Sequence, residues 1–390
     1  VKGQVHKIVK TPIEPYFSTH PGWAEQDPKL YWDTLAKTTK SLMREGKKWQ
    51  QSIKGVTLTT QRNTMINLDA QGNVLRPAIV WMDMRKAELE QWPPPMLRWG
   101  LKAINMLDAL EHTIRDSEAN WIRQNQPEIW DKTDKFLFLS GFFTWRLTGE
   151  YRDSTANIVG YVPFDYKKQT WSKANDMKWQ MFPMERSILP HLVQPGEILG
   201  HITEEAAKVT GIPKDLPVVA AGADKACEVL GSGCLSPEIA CLSFGTTATV
   251  ETTNAKYVEV TPFFPSYPSA VPGMFNTEVM IYRGFWMVSW FKKEFGLREM
   301  MKAEERGVAP EVLFDELIES IPPGSMGLML QPYWSPGVKV PGPEAKGSII
   351  GFGDVHTRAH IYRAMLEGLA FALKEGAQRT AKRNGVAMDR

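Results

Sequence analysis

Cysteine is scarce: Cys227, Cys234 and Cys241 are the only three in 390 residues. A small, odd number excludes a disulfide framework and fits a reducing compartment, so a cytoplasmic setting is expected. Their even spacing is not a metal signature. Gly231, Gly233 and Pro237 break the segment, and no CxxC pair or nearby His completes a ligand set. Neither sign of charge is in excess, since 46 Lys and Arg face 44 Asp and Glu, a net charge of +2. That balance gives no electrostatic reason to expect nucleic acid or an anionic membrane as partner. No apolar run approaches the ~20 residues of a membrane span. The opening VKGQVHKIVK is broken by Lys and does not read as a signal peptide; it starts with Val, so an earlier start is expected. There is no GxxxxGK[ST] loop. Gly231-Ser232-Gly233 lacks the third glycine of a dinucleotide fingerprint. His356 and His360 have the spacing of a zinc helix but no Glu follows His356, so they read as one His at a helix start and one on its surface.

What is present is an ordinary globular composition, 43% hydrophobic and 23% charged, on a chain long enough for two or three domains. Fourteen Trp is a high count, and many sit in polar contexts, which hints at a pocket that stacks on a ligand. Residues 2–15 alternate like a strand, and 20–28 read as a loop. Asp27-Pro28 starts a helix over 30–45. Short strands are expected over 53–60, 64–68 and 77–82, with a hairpin turn at 69–73. Residues 84–91 read as a helix, and 97–145 as mostly helical. The apolar run 216–223 is a buried strand that ends at Asp224, with a short helix after it. Strands over 239–244 and 249–253 form a hairpin bent at Gly245-Thr246-Thr247. Thr357 caps a long helix over 358–382. This pattern implies α/β or α+β layering in two domains, with the best boundary in the Gly- and Pro-bearing stretch 231–237 and the domains set at 1–232 and 233–390.

Asp224 is the strongest single candidate. A carboxylate at a strand end is held by rigid backbone yet opens onto a cleft, and could accept a proton from a hydroxyl. A plain helix cap is the competing role. Gly245, Thr246 and Thr247 offer backbone N–H groups and hydroxyls in a tight bend, a set that can hold phosphate oxygens; an ordinary polar turn is the alternative. Arg62 and Asn63 end one strand, and Trp81, Asp83 and Arg85 end another. A fork-shaped donor, an amide and an indole suit a polyhydroxylated ligand. A surface ion pair between Asp83 and Arg85 is the blander alternative.

Seven segments, in order, resemble the FGGY family of carbohydrate kinases: PGWAEQDP (21–28), IVWMDMR (79–85), FTWRLTGEY (143–151), LPVVAAGADKA (216–226), LSFGTTATV (242–250), LMLQPYW (328–334) and the stretch 347–373. The resemblance implies the actin-like ATPase (ribonuclease H-like) fold, with two related α/β domains around a cleft, the first substrate-binding and the second nucleotide-binding. It implies transfer of the γ-phosphoryl of ATP, with Mg²⁺, to a sugar or polyol hydroxyl. By position Asp224 matches the catalytic base. Arg62, Asn63, Trp81 and Lys225 match substrate contacts, and Gly245, Thr246 and Thr247 match a phosphate-contacting turn. No metal-ligating residue is implied. A homodimer is expected by the same resemblance. Lys225 stands where the family commonly has an amide, which favours an acidic sugar. Phe285 and Trp286 are bulky where family members often have small residues beside the nucleotide. The family's Asp-x-Gly-Thr turn and its adenine-binding glycine motif have no counterpart, so the chain reads as a fragment expected to bind ATP poorly and turn over slowly or not at all. A non-catalytic sugar sensor on the same fold is the second reading. An actin-like assembly protein is the third.

Overall fold

The computed structural model describes residues 3–45, 50–90, 94–104, 106–262, 264–335, 341–342 and 344–387. The chain forms two compact units: Val1–Leu230 with Tyr267–Met274, and Gly231–Ser266 with Phe275–Arg390.

In the first unit, strands Glu25–Gln26, Ala78–Ile79, Met65–Leu68 and Lys135–Phe138 lie in that order, all antiparallel. Successive residues of a strand point to opposite faces. Here both faces are covered. Ile66, Leu68 and Leu137 pack with Phe142 and Leu147, while Met65, Phe136 and Phe138 pack with Ala119, Ile122 and Ile158. Burial of such a side chain stabilises by roughly 1.5–3 kcal/mol, which holds this short sheet in one register. The turn after it closes as expected: Asp69 N–H donates to Asn73 O at 3.0 Å, and Gly72 sits at φ +83° against the Trp145 ring. Asp27 also starts its helix as expected, its carboxylate accepting from Lys29 N–H at 2.8 Å ahead of Pro28–Glu45.

A second sheet positions the chemistry. Ile198–His201 pairs antiparallel with Pro217–Val219, which pairs parallel with Val56–Thr57 in the register Val218↔Val56 and Val219↔Thr57. Two parallel strands end at the same edge. The residues that follow them, Thr60 to Asn63 and Ala220 to Asp224, therefore emerge side by side.

In the second unit, Cys241–Phe244, Ala248–Asn254 and Phe275–Ile281 form an antiparallel sheet running from Phe244↔Ala248 to Asn254↔Phe275. The helix Arg358–Asn384 crosses it, close enough at Gly376 that a Cβ there would lie 2.8 Å from Val279. Gly368 of the same helix meets the Leu330 carbonyl in the two-stranded sheet Met329–Gln331 and Ser348–Ile350.

Four expectations are corrected. Residues 3–15 form no strand. The expected loop 20–28 contains the strand Glu25–Gln26. Residues 84–90 are not helical (Gln91 lies outside the described residues), because their donors are taken elsewhere: Arg85 N–H goes to the Asp83 carboxylate and Ala87 N–H to Arg115 O. Within 97–145, Lys135–Phe138 is a strand, its apolar run drawn into the sheet by Met65–Leu68.

Candidate active site

The Asp224 backbone is clamped on two sides. Its N–H donates to Thr60 O at 2.9 Å, and the preceding Ala223 N–H donates to Ala156 O at 3.1 Å. Gly222 is pressed so closely on Ala226, Ala156 and Ala270 that a Cβ would lie 2.8 Å from the first. The carboxylate itself is 53% exposed at the first residue of the helix Asp224–Gly231. It accepts from Lys225 N–H at 2.8 Å and lies 4.0 Å from Arg62 Nε. A fixed main chain with a half-exposed carboxylate is an arrangement that suits a general base.

The Ala156 carbonyl belongs to a segment in which the sequence singles out no site residue. Asp153 is fully buried and accepts from Ser140 Oγ at 2.7 Å, Asn157 Nδ2 at 2.8 Å and Ser154 N–H at 2.8 Å. Burial pushes its carboxyl up to about 6 against the pull of these hydrogen bonds. Ser154 and Asn157 are its near neighbours in sequence, whereas Ser140 comes from the helix Leu139–Thr148.

Arg62 lies over the Tyr267 ring, 5.5 Å from its centroid. Asn63 has a left-handed backbone, φ +48°, and its amide turns inward: Nδ2 donates to Glu118 Oε1 at 2.5 Å, and Oδ1 is buried. Glu118 was not singled out from the sequence either. Burial, with Asp116 and Asp83 nearby, pushes its carboxyl up to about 8. Lys225 Nζ pairs with Glu228 at 2.7 Å. Trp81 is 49% exposed on its own turn. Asp83 and Arg85 are not a surface pair. Arg85 donates to Asp83 at 2.7 and 2.8 Å and to Glu25 at 2.9 Å, and its guanidinium sits in the corner of two rings that meet edge-on, 3.9 Å from the Trp23 centroid and 4.6 Å from that of Trp121. The structure thus brings Arg62, Asp224 and Lys225 together, and commits Asn63 to the interior.

In the second unit Gly245, Thr246 and Thr247 form the tip of the expected hairpin. The Gly245 carbonyl accepts from Phe285 N–H at 3.0 Å, and the Thr246 carbonyl from Trp286 N–H at 3.4 Å. These acceptors are turned into the protein while the Thr246 side chain stays exposed. With two tip carbonyls occupied and the Thr247 hydroxyl donating to Tyr282 O at 3.3 Å, the exposed Thr246 hydroxyl is the tip's outward polar side chain, and a turn of this kind can hold an anion. Gly284 makes the docking possible, because a Cβ there would meet Ala248 N at 2.3 Å. Phe285 and Trp286 open the helix that carries this contact and are half-buried: Phe285 meets Phe244 edge-on at 5.1 Å, and Arg283 lies over Trp286.

His360 is buried rather than on the surface. Its Nδ1 accepts from Thr357 N–H at 3.1 Å and caps the long helix. All three cysteines are free thiols; Cys227 Sγ donates to Gly222 O and Cys234 Sγ to Ile239 O. Among the described residues no three His, Cys, Asp or Glu side chains are grouped to hold a metal ion, and no helix is long and apolar enough to cross a membrane.

Sequence comparison matches residues 1–231 to the FGGY family of carbohydrate kinases, N-terminal domain, and 240–390 to its C-terminal domain. A xylulose kinase of Lactococcus lactis is 27% identical over 377 residues, 95% of this chain and 72% of that protein. The uncharacterized sugar kinase YgcE of Escherichia coli is 30% identical over 364 residues, 93% of this chain and 66% of that one. Among solved structures, xylulose kinase from Rhodospirillum rubrum superimposes with a TM-score of 0.76 at 24% identity, over 95% of this chain and 73% of its own. Plasmodium falciparum glycerol kinase with ADP gives 0.73 at 21%, over 96% and 73%. These neighbours share the two-domain actin-like ATPase fold expected from the sequence.

Proposed function

Because the chain belongs to the FGGY family of carbohydrate kinases, ATP-dependent phosphotransferases with an alcohol as acceptor, we propose that Asp224 is its general base and that its acceptor is a hydroxyl of a small sugar or polyol. The observation that carries this is the half-exposed Asp224 carboxylate on a clamped backbone, at the shared edge of two parallel strands, with Arg62 Nε 4.0 Å away.

In this reading the Asp224 carboxylate takes the hydroxyl proton as the acceptor oxygen bonds to the γ-phosphorus and the bond to the β,γ-bridging oxygen breaks. ADP leaves with the electron pair. Little else is asked of covalent chemistry, so positioning and charge neutralisation supply most of the rate. Arg62 orients the acceptor and Trp81 offers an apolar face to its C–H groups. Gly245, Thr246 and Thr247 receive phosphate oxygens. Mg²⁺ would enter with the nucleotide, held mainly by its phosphates, and would neutralise their charge. Asn63 supports the neighbouring Arg62 instead of gripping substrate. A cytoplasmic homodimer and the division at 232/233 belong to the same reading.

Xylulose, named for several relatives, heads the acceptor panel. Lys225 beside the base adds sugar acids to it. The test is an ATP-dependent phosphorylation screen of the full-length protein over pentoses, pentuloses, hexoses, polyols and sugar acids. Turnover of at least one class is expected. Sugar binding without phosphate transfer across the panel would instead indicate a sensor.

A further inference from the structure

We infer that Glu118, acting through Asn63, is a positioning residue that fixes the Arg62 guanidinium beside Asp224; this rests on the kinase reading of the same site. The contacts form a closed circuit within the first unit. Glu118 Oε1 accepts from Asn63 Nδ2 at 2.5 Å. Asn63 N–H donates to Val159 O at 3.2 Å. Asn63 Oδ1 abuts Gly160, where a Cβ would lie 2.6 Å from it. Gly160 O accepts from the Tyr166 hydroxyl at 3.2 Å. Tyr166 packs edge-on against Tyr267, 5.7 Å between centroids at 77°. Tyr267 lies under the Arg62 guanidinium. Arg62 is thereby held twice, through the main chain by Asn63 and through its head group by Tyr267.

The pin has a physical reason. Asn63 stands at φ +48°, a conformation that costs most L residues energy and that Asn tolerates best. Left alone, a residue there would relax and swing the peptide that carries Arg62. The hydrogen bond to a buried carboxyl opposes that relaxation. Glu118 is itself fixed as the first residue of the helix Glu118–Asn125, whose cap Ser117 accepts from Asn120 N–H at 3.3 Å. Gly160 is the complement of the pin, because any side chain there would expel the Asn63 amide. The hydroxyl of Tyr166 stays protonated, its pKa pushed up to about 12 by burial, so it remains a donor to Gly160.

The test compares Glu118→Ala, Glu118→Gln and Asn63→Gly in the full-length protein. The first readout needs no activity: the Arg62 Nε–H resonance, identified by its loss in Arg62→Lys. It is expected to shift or broaden in Glu118→Ala and Asn63→Gly, and to stay in place in Glu118→Gln, which keeps an acceptor oxygen. Asn63→Gly tolerates the positive φ, so it tests the pin even where Glu118→Ala does not fold. The second readout is kinetic. Loss of the pin should raise the sugar KM and lower kcat/KM by about tenfold or more, with the KM for ATP unmoved and Glu118→Gln close to the parent. An Arg62 resonance unchanged in both Glu118→Ala and Asn63→Gly overturns the inference, as does equal damage in Glu118→Gln and Glu118→Ala. If the protein phosphorylates no sugar at all, the kinase reading fails, and the resonance still decides the role of Glu118.

Discussion

Arg62 Nε and Asp224 Oδ1 lie 4.0 Å apart because the strands before them run parallel, with Thr57 opposite Val219. Thr60 O then accepts from Asp224 N–H at 2.9 Å and locks the two loops together. At 4.0 Å and half-exposed, the pair itself is worth no more than about 1 kcal/mol. Its value is geometric, since it holds a cation and a base at one place.

Buried acids should give the first unit a distinctive pH response. An unfolded Glu loses its proton near its ordinary 4.5, whereas folded Glu118 holds it until about 8. Between those values the folded state binds the extra proton, so stability falls as pH rises from about 4.5 through about 8 and then levels off. Asp153 adds a contribution of the same sign between 3.8 and about 6. Urea midpoints measured from pH 5 to 8 should fall less steeply in Glu118→Gln than in the parent. Parallel slopes would contradict the buried, protonated acid.

Gly284→Ala should loosen the Gly-Thr-Thr tip. The added methyl would meet main-chain atoms of Ala248, which cannot step aside as a flexible side chain could. The cost expected is roughly 1–3 kcal/mol, read as a lower thermal midpoint. The KM for ATP should rise while that for sugar stays. An unaffected midpoint and ATP KM would remove the Phe285 and Trp286 contacts from the account.

Arg85→Ala breaks a buried ion pair and uncovers the corner where Trp23 and Trp121 meet. The carboxylates of Asp83 and Glu25 would lose this partner, and such losses cost roughly 3–5 kcal/mol. Arg85→Lys should recover only part, because a lysine has neither the planar stack nor the two-toothed grip on Asp83. Urea denaturation of both variants measures this, and full recovery by Lys would rule out the geometric role of the guanidinium.

The sequence was most readable where pattern is local. The turn at Asp69, the Asp27 cap, the Gly-Thr-Thr bend and the helix after Thr357 each carry their signal within a few residues. The apolar run into Asp224 was likewise visible, as was a strand ahead of Arg62 and Asn63. The interior role of Asn63 was not, because it depends on Glu118, 55 positions away. Asp153 was hidden in part for the same reason: Ser140, one of its three partners, comes from another element, and its burial is set by the whole fold. The segment 84–90 misled because helical spacing competed with side-chain bonds from Asp83 that no periodicity records.

The direct test of the central claim is phosphoryl transfer by Asp224→Ala against the parent, in the full-length protein with its best acceptor sugar. The account predicts a fall in kcat of roughly 10²–10⁴-fold, with little change in thermal stability, because the carboxylate is half in solvent. A variant that folds normally and retains turnover within about tenfold of the parent would contradict it.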